Sequence, residues 1–152
     1  MEKIIMYTDG GSRNNPGSAA IGVYISAQGG SASGGEALDK KYGECIGIKT
    51  NNEAEYSALI FGLKKIKSLI GKTKAQSAEI ECRLDSELVV KQLNHEYKLK
   101  EKHIQDFFLE IWNLMLDFKS VEFYHIPREK NKIADKLVNE ALDQEAKQAK
   151  LI

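Results

Sequence analysis

Residues 4–11 read IIMYTDGG. Ile4 to Thr8 form a short, nearly continuous apolar run, as expected of a strand buried in the middle of a sheet, and the run stops at the turn signal Asp9-Gly10-Gly11. This predicts a central strand with Asp9 at its end. The pattern returns at residues 78–86. Ala78 to Leu84 alternates, with Ile80, Cys82 and Leu84 on one side, and meets Asp85-Ser86, which is placed to cap a short helix through about Asn94. If the two strands are parallel neighbours, Asp9 and Asp85 converge on one edge of the sheet, where open α/β sheets hold ligands.

Other elements extend outward from this pair. Residues 19–27 (AAIGVYISA) and 42–49 (YGECIGIK) read as further strands, joined by the loop 28–41 with GGSASGG at its tip, a hairpin connection. From Asn52 the period changes to helical, with Tyr56, Leu59, Ile60, Leu63, Ile66 and Ile70 on one face and Gly71 as the stop. Ile104, Phe107, Phe108, Ile111, Leu114, Met115 and Phe118 mark another amphipathic helix, with Trp112 near the same stripe and its aromatics assigned to the core. Residues 121–126 are a last strand, ended by Pro127, and Ile133, Ala134, Leu137, Val138, Ala141 and Leu142 carry a terminal helix before a charged tail. The expected fold is one α/β domain over 1–152. It has a five-stranded mixed sheet, three antiparallel strands plus two parallel, flanked by helices.

Composition narrows the class without naming a function. At 152 residues, 42% hydrophobic and 29% charged, the chain matches soluble globular averages and argues against disorder. Apolar runs of only a few residues, and the early Glu2 and Lys3, argue against a membrane span or a leader, so a cytoplasmic monomer is expected. Cys45 and Cys82 lack CxxC spacing and read as buried, reduced thiols. Equal numbers of basic and acidic residues, 22 each, give no global field for nucleic acid, so any phosphate contact must come from a local face.

Asp9 before two glycines is an ordinary turn former, and Asp85 an ordinary helix start. Glu55 and Asp135 fall in first turns, where acids complement helix dipoles. Together they matter more. Carboxylates gathered at one edge repel, a divalent cation relieves the repulsion, and an all-oxygen donor set without His or Cys favours Mg²⁺ or Mn²⁺ over zinc.

Four blocks around these acids, YTDGGSRNNPG (7–17), TNNEAEY (50–56), LDSELVVKQLN (84–94) and PREKNKIADKLVNEAL (127–142), resemble type I ribonucleases H, in order over nearly the whole chain. The resemblance implies cleavage of the RNA strand of RNA–DNA hybrids by two Mg²⁺ ions, leaving 5′-phosphate and 3′-hydroxyl ends. A non-catalytic adaptor of the same fold, or a related nuclease for another nucleic acid, stays open. The implied metal ligands and catalytic residues are Asp9, Glu55, Asp85 and Asp135, with Asp9 shared by both ions. Glu55 is preferred to Glu53 because it stands three residues after the second Asn of TNN. The family pattern places Asn15, Asn51 and Asn52 in the hybrid's minor groove, Thr50 on a DNA-strand phosphate, and Glu87 at a further hybrid contact. The basic protrusion and the glycine- and histidine-rich loop that some family members carry are replaced by HEYKLKEKHIQDFF (95–108) and IPREKN (126–131). Arg128 is then a candidate for phosphate binding or product release, and His125, alternating with Val121 and Phe123, reads as a core histidine. Lys91, Lys98, Lys100 and Lys102 are candidates for a backbone track.

Overall fold

The computed structural model describes residues 2–29 and 37–151, so most of the glycine-rich tip lies outside the described residues. Five strands form one sheet in the order β3-β2-β1-β4-β5. They are β1 (Glu2–Arg13), β2 (Gly17–Ala27), β3 (Leu38–Lys49), β4 (Ala78–Leu84) and β5 (Ser120–His125). β1 pairs antiparallel with β2 and parallel with β4, β2 pairs antiparallel with β3, and β4 parallel with β5. The helices are α1 (Asn51–Ile70), α2 (Lys72–Ala75), α3 (Glu87–Leu93), α4 (Lys102–Met115) and α5 (Lys132–Lys150), with a 3₁₀ turn at Arg128–Lys130.

The even-numbered residues Ile4, Met6 and Thr8 of β1 point into the main core with Ile80, Cys82 and Leu84 of β4. Over them lies α1, whose Tyr56, Leu59, Leu63 and Ile66 are fully buried, and α4 packs against α1. On the opposite face α5 covers β1, β2 and β3, where Val138 and Leu142 meet Ala20 in a smaller cluster. No helix among the described residues is long and apolar enough to cross a membrane.

Several expectations need correction. β1 does not end at Asp9. The parallel ladder with β4 stops at Thr8↔Leu84, but the antiparallel ladder with β2 continues from Asp9↔Gly22 to Arg13↔Ser18. Asp9 therefore marks where one neighbour leaves while the other persists. β3 begins at Leu38, because Asp39, Lys40 and Lys41 pair through their backbones with β2, whatever their polarity. α5 runs through the charged tail, whose Gln, Glu, Ala and Lys residues are good helix formers.

Burial differs as well. Cys45 is exposed on the outer strand β3, whereas Cys82 is buried as expected. His125 is exposed, because it is the last residue of β5, beyond the part of the strand that the core covers. On α4, Trp112 is half exposed, while Phe107 and Phe108 pack against the core and Phe118 is buried just beyond the helix end.

Candidate active site

Two glycines set the distances between elements at the edge of the sheet that carries Asp9. A Cβ on Gly10 would lie 2.2 Å from the carbonyl carbon of Ala54 and 2.5 Å from the backbone nitrogen of Glu55, so only glycine lets α1 come close enough to bring Glu55 to Asp9. On the other face, a Cβ on Gly22, the cross-strand partner of Asp9, would lie 2.1 Å from Ala134 O. Its absence brings the first turn of α5, and with it Asp135, against the sheet.

Asp9, Glu55 and Asp85 each offer a carboxylate oxygen within 4.8 Å of the others. Asp135 lines the same open cavity of about 430 Å³, together with Asn51, Arg13, Arg128 and Asn139. It stands apart from the close trio, and its Oδ1 lies 3.6 Å from Arg128 Nη2. His125 does not line this cavity.

Burial dominates the electrostatics. It is the main cause that raises the Asp9 carboxyl from 3.8 to about 7, with the charges of Asp85 and Asp135 acting in the same direction and hydrogen bonds from Glu55 and the Gly10 N–H (3.0 Å) opposing it. Burial first, then the charge of Asp9, holds Glu55 well above the usual carboxylate range. Without cations the pair keeps a proton that the site would release on binding one. Glu55 Oε2 is buried with no hydrogen-bond partner. A buried, unpartnered carboxylate oxygen beside two more carboxylates fits a hard divalent cation.

Glu53 is turned to another task. It completes a capping box, its carboxylate accepting from Thr50 N at 2.9 Å while the Thr50 hydroxyl accepts from Glu53 N at 3.1 Å. The Thr50 N–H holds the Glu53 carboxyl below its ordinary value. Asn15 Oδ1 accepts from Asn51 N at 3.0 Å, and Asn51 Oδ1 from Ser12 N at 2.9 Å. Both oxygens are thus committed to the backbone, which leaves the amide NH₂ groups as donors. Asn15, Thr50, Asn51 and Asn52 line a neighbouring open cavity of about 440 Å³ with Glu101 and His103, which sequence reasoning had not singled out. Asn51 borders both cavities. Glu87 borders neither and pairs with Lys91 at 3.0 Å. Lys102 pairs with Asp106, and Lys98 and Lys100 are exposed.

Asn131 was also missed. It is 1% exposed, and its Nδ2 donates to Thr8 O at 2.8 Å and, at a longer 3.4 Å, to Asp85 Oδ2. Its own carbonyl accepts from Asp135 N. One residue thus ties the end of the β1–β4 ladder to the helix that carries Asp135. Its position four residues before Asp135, in a turn otherwise made of exposed charges, was the only signal in the sequence.

A family model described as reverse transcriptase-like matches residues 7–141. Ribonuclease HI of Halobacterium salinarum is 37% identical over 142 residues, covering 93% of this chain and 65% of that protein. Bifunctional protein Rv2228c of Mycobacterium tuberculosis is 33% identical over 97% of this chain, which spans 37% of that protein's length. Among solved structures, LC11-RNase H1, isolated from compost by a metagenomic approach and crystallised with an RNA/DNA hybrid, is 43% identical with a TM-score of 0.81, covering 94% of this chain and 99% of that one. On this similarity in sequence and in fold, the chain belongs to the type 1 ribonuclease H family.

Proposed function

We propose that the chain is an endoribonuclease that hydrolyses the RNA strand of RNA–DNA hybrids. The observation that carries this reading is the trio Asp9, Glu55 and Asp85, with carboxylate oxygens within 4.8 Å, one wall away from an amide-lined groove. Asp9, Glu55, Asp85 and Asp135 would hold two Mg²⁺ ions, or Mn²⁺ in their place. Such a pair, when bound, supplies a water nucleophile at neutral pH and neutralises charge on the attacking and leaving oxygens of an in-line displacement.

The chain's own residues hold the substrate in place. The free NH₂ groups of Asn15, Asn51 and Asn52 match the acceptors of the minor groove and the 2′-hydroxyls that distinguish RNA there. The Thr50 side chain, at the N-terminus of α1, borders the same groove and is placed to meet a backbone phosphate of the DNA strand. Arg128, 80% exposed at the rim of the catalytic cavity, is positioned for an RNA phosphate and, through its pairing with Asp135, for helping the product leave. Glu87, lying on α3 outside both cavities, is left as an outer contact. The hybrid complex of LC11-RNase H1 supports the choice of substrate, and a single domain acting as a monomer is sufficient for this chemistry.

The test is a panel of end-labelled hybrid, duplex RNA and duplex DNA, each with Mg²⁺, with Mn²⁺ and with chelator. Metal-dependent cutting of the hybrid's RNA strand alone, leaving 5′-phosphates, is expected. Hybrid binding without cutting would favour an adaptor, and preferential cutting of another duplex a different nuclease.

A further inference from the structure

The cations that line the carboxylate cavity are Arg13 and Arg128. Arg128 stands beside Asp135, so its charge lies over the acids themselves. Arg13 is placed differently. It closes β1, and strand alternation turns its side chain to the same face as Asp9, toward α5, where its Nη2 donates to Asp143 Oδ1 at 2.5 Å. Asp143 does not line the cavity. The acid thus holds the guanidinium from behind, while the Arg13 side chain stays 46% exposed and borders the cavity. A guanidinium carries five N–H donors in a planar fork, so pairing with one carboxylate oxygen leaves donors for a second anion.

Strand and helix agree on where this group lies. From Asp9 to Arg13 the chain advances along β1 by ~13 Å at the usual strand rise, and from Asp135 to Asp143 along α5 by ~12 Å. Arg13 is therefore too far along to share the phosphate that the acids hold. On the other flank of the same strand end, Ser12 turns to α1, where its N–H and hydroxyl meet Asn51 Oδ1 at 2.9 and 3.3 Å, and Asn51 opens onto the amide-lined groove. A strand read by those amides on one side runs past Arg13 on the other.

We propose that Arg13 is a further substrate-binding residue, which holds a phosphate of the RNA strand about two to four nucleotides from the scissile one, at ~3.4 Å of rise per nucleotide and allowing for the reach of the side chain. The inference deepens the hybrid-cleaving reading of the site and rests on it. Once divalent cations balance the four carboxylates, Arg13 and Arg128 supply the positive charge that a polyanionic strand meets in the cavity. Arg13 then fixes the strand from the α5 side, with a fork that suits a phosphate.

The experiment measures hybrid binding in chelator at several salt concentrations, and cleavage in Mg²⁺, for wild type, Arg13→Ala, Arg13→Lys and Asp143→Ala. An exposed ion pair carries little stability, so these variants should melt close to wild type. Arg13→Ala should weaken binding about tenfold, the weight of one charge-assisted hydrogen bond, make the salt slope shallower by about 0.9, and leave kcat at saturating hybrid unchanged. Arg13→Lys should keep the slope. Asp143→Ala breaks the same ion pair but keeps the cation, so it should keep the slope too. A neutral methylphosphonate, moved one position at a time along the RNA strand, should weaken wild type about tenfold at one phosphate beside the cut, and should have no effect there in Arg13→Ala. If Arg13→Ala binds as wild type does, or if it and Asp143→Ala behave alike with no phosphate distinguished, the pair only ties β1 to α5 and the proposal falls while the hybrid reading stands. A wild-type chain that neither binds nor cuts the hybrid removes both.

Discussion

Asp9→Asn should make the metal-free protein more stable, by an amount set by pH. The Asp9 carboxyl sits at about 7 in the fold against 3.8 in the open chain, mainly because it is buried. Below pH 4 both states carry it neutral and no penalty arises. Between pH 4 and 7 the unfolded chain gives up the proton while the folded protein keeps it, so stability falls. Above pH 7 the folded protein also carries the charge, and the loss levels off. At ~1.4 kcal/mol for each pH unit the plateau is at most about 4 kcal/mol. Asparagine has the same shape, keeps an oxygen for the Gly10 N–H and never ionises. The variant should therefore melt close to wild type at pH 4, a few degrees higher at pH 5, and about 8–16 °C higher at pH 8, taking ~2–4 °C per kcal/mol for a domain of this size. Thermal denaturation in chelator across pH 4–8 measures this, and added Mg²⁺ should remove the difference by stabilising wild type alone. A gain independent of pH, or a loss at pH 8, would refute the assignment of a buried, repelled carboxyl.

Gly10→Ala should destabilise by about 1–3 kcal/mol or more in urea denaturation, and should slow cleavage, because the new Cβ meets the backbone of Ala54 and displaces Glu55. Asn131→Ala should cost about 1–3 kcal/mol, from the unpaired Thr8 carbonyl, and should weaken Mg²⁺ binding about 10–100-fold through Asp85, read by calorimetry. Thr50→Ala should lose about 1 kcal/mol with the capping box, and Thr50→Ser should restore most of it, measured by the same denaturation.

The two central strands were legible because their apolar runs stop abruptly at Asp9 and Asp85, and the helical stripe from Tyr56 to Ile66 because its period is unbroken. What sequence periodicity cannot report is whether the face it defines is covered. Val121, Phe123 and His125 alternate correctly, yet cover stops before His125; Cys45 lies on an outer strand and Trp112 toward solvent. The extension of β1 past Asp9 depends on β2, a partner distant in sequence, and the close approaches at Gly10 and Gly22 depend on helices that periodicity cannot place against the sheet. Asn131 escaped notice for a related reason, since a buried asparagine in a charged turn looks like any loop asparagine until its partners, Thr8 and Asp85, are seen around it.

The most direct measurement compares single-turnover cleavage of a 5′-labelled RNA–DNA hybrid in Mg²⁺ by the wild-type chain and by Asp9→Asn, with both proteins shown to be folded and to bind the hybrid. Metal-dependent scission of the RNA strand by wild type and none by the variant is predicted. A variant that cuts at the wild-type rate would mean that the gathered carboxylates do not perform the chemistry.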